Sequence, residues 1–229
     1  MKILAMDTSS QALAVALLDE GSLVAEVTLN IKKNHSISLM PAVDFLVESV
    51  GWKPTDLDRI VVAQGPGSYT GLRVAVATAK TLAYALKIEL VGVSSLYALT
   101  AGHSLSGLVV PIMDARRNHV YAGFYDKGQA VMEDAHLAFV EVLERVASVN
   151  HVTFVGEVAH FRSQIEAYLP QASIVETLPS AFEIGKLGQN LPATPVDAFV
   201  PHYLKRVEAE ENWLKNNLPE AEEDYIKRV

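Results

Sequence analysis

The 229-residue sequence contains no cysteine, which removes a disulfide framework, a thiolate metal site and a cysteine nucleophile together. It also has no long apolar run. Charge or glycine interrupts each mainly hydrophobic stretch well short of the about 20 residues that a membrane-spanning helix needs. The apolar run after Lys2 is β-like and ends at Asp7, too brief for the core of a signal peptide. A cytoplasmic protein with no membrane contact is therefore expected. Positive charge is scarce as well. With 19 Lys and Arg against 27 Asp and Glu, the net charge of −8 argues against nucleic-acid binding by this chain alone, since such affinity comes mainly from cations that neutralise phosphates. If RNA is involved, a basic partner is expected to hold most of it.

Two catalytic spacings are missing too. The seven histidines, at positions 35, 103, 119, 136, 151, 160 and 202, contain no H-x-x-x-H or H-E-x-x-H pair, so no two stand one helical turn apart to grip a metal. Ser9, Ser10 and Ser68 have no partnered His and Asp in a nucleophile-elbow pattern. The expectation is therefore no catalytic residue, no metal and no cofactor.

What is present is a loop, Gly65-Pro66-Gly67-Ser68-Tyr69-Thr70-Gly71-Leu72-Arg73. The β-branched run Arg59 to Gln64 before it predicts a buried strand, and the alanine-rich run Val74 to Leu86 after it predicts a helix. Glycines at a strand end permit positive φ and close approach, while a helix start presents unpaired N–H groups to an anion. The spacing G-P-G-x-x-x-G is neither the Walker pattern nor the dinucleotide fingerprint. It reads either as an anion or nucleotide site or as a tight turn before a well-capped helix.

Strands are predicted at 2–7, 13–19 and 22–30, with Glu20-Gly21 as a hairpin turn. A helix over 38–50, a strand at 60–64, a helix at 70–86, a strand at 89–93 and a helix near 94–101 complete one α/β lobe. After a link at 103–107 the pattern restarts, with strands at 108–113, 119–125 and 130–133, a helix, a strand at 152–155 and two more helices. The chain thus reads as an N-terminal lobe over 1–102, a C-terminal lobe over 103–206, and a segment over 207–229 that is either a helix packing back on the first lobe or a mobile tail. Asp114-Ala115-Arg116-Arg117 ends a strand, as a ligand-orienting group or as a surface ion pair.

The helices at 38–50 and 74–86 carry more apolar residues than a core stripe requires. Leu39, Met40, Val43, Leu46, Val47 and Val50 form the stripe on the first, and Ala42 and Phe45 widen it. Val74, Val76, Ala77 and Tyr84 leave few polar positions on the second, among them Lys80. Full burial explains one such helix; two adjacent ones point to a surface that associates, with itself or with a related lobe.

The loop at 65–73 and the opening Lys2-Ile3-Leu4-Ala5-Met6-Asp7-Thr8-Ser9-Ser10 resemble the TsaB (YeaZ) family of bacterial proteins. So do Gly92-Val93-Ser94-Ser95-Leu96, Pro111 to Arg116, Val120-Tyr121 and Pro201-His202-Tyr203-Leu204-Lys205-Arg206, in order and spacing. The resemblance implies a two-lobed actin-like ATPase (ribonuclease H-like) α/β fold, each lobe a mixed sheet flanked by helices. It implies a pseudoenzyme that supports TsaD, a relative with paired metal-binding histidines, in threonylcarbamoylation of tRNA adenosine, with the small ATPase TsaE assisting. The helices at 38–50 and 74–86, with Lys80, would form the heterodimer surface, and the free protein is expected to pair with itself; tRNA would be met only within the complex. Asp7, Thr8, Ser9 and Ser10, with Gly65, Gly67, Ser68, Thr70, Gly71 and Arg73, would be vestigial phosphate loops. Asp7 would either order a hydrated magnesium or hydrogen-bond its own hairpin. The second-lobe adenosine loop falls at Phe154 to His160, where only Gly156 remains and Glu157 would repel a triphosphate. The competing expectation is a small ATPase or kinase using its own cleft.

Overall fold

The computed structural model of the chain describes residues 1–31, 34–100 and 107–205. Strands β1 (Lys2–Asp7), β2 (Leu13–Asp19) and β3 (Ser22–Leu29) form an antiparallel meander, and β4 (Arg59–Gly65) and β5 (Glu89–Ser94) add in parallel on the other side of β1. The order is β3-β2-β1-β4-β5. Strands β6 (Leu108–Asp114), β7 (His119–Asp126), β8 (Gln129–Ala138), β9 (Val152–Gly156) and β10 (Ser173–Glu176) repeat that plan in the order β10-β9-β6-β7-β8. The duplication read from pattern is thus present in the strand order.

The first sheet is buried on both faces, which is why β1, β2 and β4 read as continuous apolar runs. Leu4, Met6, Val15 and Leu17 face helices α1 (His35–Ser49) and α2 (Tyr69–Leu86), which contribute Leu39, Val43, Leu46, Val47, Ala75, Val76 and Ala79. Ile3, Ala5, Ala16 and Leu18 face the opposite way, against Ala98 of α3 (Ser95–Leu99) and Ala181 and Ile184 of α6 (Ala181–Gly188). Each fully buried aliphatic side chain contributes roughly 1.5–3 kcal/mol relative to exposure. The second sheet packs α4 (Phe139–Val146) and α5 (Arg162–Tyr168) through Phe139, Val142, Phe154 and Ile165. The lobes meet where Leu96 and Leu99 of α3 pack on Val109, Met113 and Tyr125. Beside that contact Ser94 Oγ donates to Asp134 Oδ2, and Tyr125 donates to Asp134 Oδ1 at 3.3 Å.

Three differences from the sequence reading have local causes. Helix α1 begins at His35 rather than 38, because the Asn34 side chain accepts the Ser36 N–H and caps it there. Strand β10, four residues long, was not expected between the last two helices; it pairs with β9 from Ser173–Thr153 to Glu176–Gly156. Helix α6 lies on the first sheet although its residues fall within the expected C-terminal lobe. Glu26 of β3 accepts bonds from Ser180 Oγ and Phe182 N, at 3.3 and 3.2 Å, and fixes its start. Beyond it Thr194 N donates to Leu90 O and His202 N to Gln64 O, so the chain runs back along the first lobe. Residues 103–106 of the expected link, and the whole of 207–229, lie outside the described residues. Among the described residues no helix is long and apolar enough to cross a membrane.

Candidate functional site

Strands β1 and β4 are parallel neighbours, so the turn after Asp7 and the loop after Gly65 emerge side by side. Strands β6 and β9 are likewise parallel neighbours and bring Asp114 and Gly156 together on the other lobe. Between them lies a cleft of about 770 Å³, lined by Ser9, Ser10, Gly67 and Ser68 on one side and Asp114, Arg116, Gly156 and Glu157 on the other.

One of the two readings of the glycine-rich loop has its N–H groups offered to a ligand. Three of them are spent within the chain: Ser68 N donates to Ser9 O at 2.7 Å, Gly71 N to Ser68 Oγ at 3.3 Å, and Gly65 N to Ser95 Oγ at 3.1 Å. The Thr8 hydroxyl completes the contact by donating to Gly71 O at 2.7 Å. A Cβ on Gly67 would sit 2.4 Å from Ser9 O, and one on Gly71 only 1.9 Å from Thr8 O. The glycines therefore admit the neighbouring turn, backbone against backbone. Ser68 caps α2, the capped-helix reading of this loop.

Thr70 and Arg73 do not face the cleft. They line a second groove of about 460 Å³ between α1 and α2, where the Arg73 guanidinium lies 4.2 Å above the Tyr69 ring and Arg73 Nε donates to Tyr203 Oη at 3.2 Å. Their assignment to a phosphate loop fails because α2 turns them to its other side. Ser10 does line the cleft, and its hydroxyl accepts the Ala12 N–H at 3.2 Å.

Asp7 is fully buried. Its Oδ1 accepts the Ser9 N–H at 2.7 Å, the hairpin bond expected as one of its two roles. Its Oδ2 and Ser9 Oγ, also buried, have no hydrogen-bond partner among the described residues. Desolvation pushes the Asp7 carboxyl up to about 6, against the opposing pull of the Ser9 N–H bond and of His35. His35 itself donates from Nε2 to Ser10 O at 2.9 Å. Across the cleft, Glu157 Oε2 accepts the Asp114 N–H at 2.8 Å, and burial raises its pKa against that bond. The second-lobe wall thus carries two carboxylates beside the Arg116 guanidinium. Among the described residues no group of three or more His, Cys, Asp or Glu could hold a metal.

The helix surface divides the residues expected at an interface. Leu39, Val43, Leu46, Val47 and Val76 are buried against the first sheet and cannot belong to an exposed face. Val50 and Val74 are half-buried, while Met40, Phe45, Ala77 and Tyr84 are exposed, Phe45 to 63% and Tyr84 to 74%. Lys80 donates to Asp197 O and Phe199 O, at 3.3 and 2.8 Å, and pins the returning chain onto α2. Ile37, 71% exposed, and Tyr69, 40% exposed, join this face and were missed. Ile37 fell before the expected start of α1, and Tyr69 was read as loop.

A family profile described as TsaD, tRNA N6-adenosine threonylcarbamoyltransferase, matches residues 22–213. The tRNA threonylcarbamoyladenosine biosynthesis protein TsaB of Bacillus subtilis is 40% identical over 94% of this chain and 99% of its own length. Its Escherichia coli counterpart is 31% identical over 56% of this chain and 57% of its own length. Among solved structures, YeaZ from Pseudomonas aeruginosa superposes with a TM-score of 0.72 at 26% identity, over 89% of this chain and 99% of that one. The activator of 2-hydroxyisocaproyl-CoA dehydratase from Clostridium difficile, at 11% identity and a TM-score of 0.52 over 82% of this chain and 94% of that one, shares the fold.

Proposed function

The chain belongs to the TsaB family, and from that premise we propose that it serves tRNA threonylcarbamoyladenosine biosynthesis as the noncatalytic partner of TsaD. TsaD transfers the threonylcarbamoyl group from its adenylate to the adenosine beside the anticodon in tRNAs reading codons that begin with A; TsaE, an ATPase, acts on the assembly. The chain docks through the outer face of α1 and α2, with Met40, Phe45, Ala77 and Tyr84 as contacts. Without TsaD the same face pairs two copies.

The observation that carries this reading is the closed first-lobe loop, whose Gly65, Ser68 and Gly71 amides bind the chain itself. A loop filled in this way stabilises a surface rather than cradling a phosphate. The exposed apolar side chains Ile37, Phe45 and Tyr84 support docking, since large apolar groups gathered on one face of a soluble protein mark contact surfaces. Among the described residues the buried Ser9 Oγ has no hydrogen-bond partner that could act as its base.

Size-exclusion chromatography with light scattering, on the chain alone and with TsaD, tests the reading alongside tRNA threonylcarbamoylation with each protein omitted in turn. A mixed complex, with modification that needs both proteins, is expected. Modification that persists without this chain overturns the reading. Magnesium-dependent nucleotide affinity of the isolated chain, lost in Asp7→Ala, would replace it with an ATPase.

A further inference from the structure

Helix α3 is the seam between the lobes. At its C-terminal end the chain crosses back from β10, and two hydrogen bonds hold the crossing there: Thr177 Oγ1 donates to Leu99 O at 2.8 Å and Ser180 N to Ala98 O at 3.0 Å. At its N-terminal end Ser94 acts twice. Its Oγ accepts the Leu96 N–H at 3.1 Å, which caps the helix, and donates to Asp134 Oδ2 across the seam.

Three features of the second sheet bring that carboxylate to the seam. Ala122 pairs with Ala135 and Phe124 with Met132, so β8 sets Glu133 and Asp134 against Gly123 alone, a bulge of the kind that re-aims a side chain. Gly123 leaves the room: a Cβ there would lie 2.8 Å from Asp134 Oδ1 and 2.7 Å from the Tyr125 ring. Tyr125, buried against Leu96 and Leu99, turns its hydroxyl to Asp134 Oδ1 at 3.3 Å. The carboxylate thus accepts one bond from each lobe. Burial raises its pKa, against the pull of both hydroxyls and of His202 on the returning chain. An acid is costly to hold in such a place, and the apolar contacts around it, Leu96 and Leu99 on Val109 and Met113, would bury the same seam without it.

We propose that Asp134 is a latch that locks the two lobes at one angle and so holds the cleft at a fixed width. Apolar packing resists separation but is non-directional, and it lets one face slide on another. Hydrogen bonds to a carboxylate fix direction as well as distance. The crossing at Thr177 and Ser180 ties α3 at one end and by itself leaves a hinge; the Asp134 bond ties the other end. Two fixings at opposite ends of one helix remove the rotation that either alone allows. The inference goes beyond the reading as a partner of TsaD and does not need it. Its consequence for any partner that spans both lobes is a surface of preset shape.

Because the chain has no cysteine, Gln11→Cys and His160→Cys, on opposite walls of the cleft, carry the only two spin labels. Pulsed electron paramagnetic resonance on this doubly labelled chain is expected to give one narrow distance distribution. Asp134→Ala in that background, with a melt confirming a folded chain, is expected to broaden the distribution about twofold or split it, as the lobes gain a second position. Tyr125→Phe removes one donor and leaves the Ser94 bond, so it should broaden the distribution less. An unchanged narrow distribution in folded Asp134→Ala overturns the proposal. A broad distribution with Asp134 intact overturns it too, since nothing is then locked. If Asp134→Ala does not fold, Asp134→Asn decides, because it keeps the shape and one acceptor: broadening sustains the latch, and an unchanged width ends it.

Discussion

The turn after β1 and the turn after β6 hold equivalent places in two sheets of the same strand order, and they are used in opposite ways. Thr8 and Ser9 are buried, closed over by Gly67 and Gly71 at backbone contact. Arg116 and Arg117 project from a left-handed turn into solvent. Duplicating a fold therefore duplicates the positions of its loops and leaves their chemistry free. Here the first lobe uses its loop to brace α2 under an exposed face, while the second keeps its turn for side chains. Each substitution below loads one side of that contrast.

The largest effect is expected inside the braced lobe. Val76 is 3% exposed in the core between α2 and the sheet, and Val76→Asp would bury an unpaired charge there. A loss above about 4 kcal/mol, enough to unfold the lobe, is expected from circular-dichroism melts. Phe45→Asp on the exposed face should instead leave the melt within about 0.5 kcal/mol of wild type and abolish association by light scattering. A folded Val76→Asp protein would mean that α2 is not seated as described.

Gly71→Ala comes next. Its Cβ would lie 1.9 Å from Thr8 O, a backbone atom that can yield only if the two loops part. A cost of about 3 kcal/mol is expected in denaturant titration. Gly128→Ala, with nothing within 4 Å and only a φ of 75° against it, should cost about 1 kcal/mol. Equal costs would erase the difference between the packed loop and the free turn.

Much of this contrast was beyond the sequence. Strands β1, β2, β4 and β5 were readable to within a residue or so, because apolar runs bounded by turn residues leave few alternatives. Helix α2 is apolar almost all round, so its pattern could not say that Val76 faces the sheet while Tyr84 faces solvent. Arg73 adjoined the glycines in sequence but sits across α2 from them. The glycines of the loop carried the right message, close approach, with the wrong occupant. What approaches is the turn at Thr8 and Ser9, some sixty positions earlier in the chain, and no local pattern reveals that pairing. Asp114 to Arg117 was read as a strand end that orients a ligand or forms a surface ion pair, and the left-handed turn at Arg116 to Asn118 went unread, since backbone sign is invisible where no glycine marks it.

Asp7 offers a pH test of the same packing. Burial raises its pKa from 3.8 to about 6, so the folded state holds a proton that the unfolded chain has already released between those values. Stability from this group is full below pH 4, falls as pH rises through about 6, and is flat above, a loss on the order of 3 kcal/mol. Asp7→Asn keeps an acceptor for the Ser9 N–H and removes the charge. It is expected to exceed wild-type stability by about 2 kcal/mol at pH 8 and to converge with it near pH 4. A difference that does not vary with pH would mean that the Asp7 carboxylate is solvated in the folded protein.

The smallest effect separates packing from binding at a single hydroxyl. Ser68 lines the cleft, yet its Oγ accepts the Gly71 N–H at the head of α2. If that bond is its whole role, Ser68→Ala should cost about 1 kcal/mol, the usual worth of an N-cap, and leave tRNA modification by the assembly unchanged. Ser68→Asp keeps a capping oxygen and adds a negative charge beside the helix N-terminus, so it should recover the lost stability. A bound phosphate at this loop would be repelled by that carboxylate. Stability regained together with activity therefore marks Ser68 as a brace. Stability regained with activity lost would return the first-lobe loop to ligand binding and make the two turns alike after all.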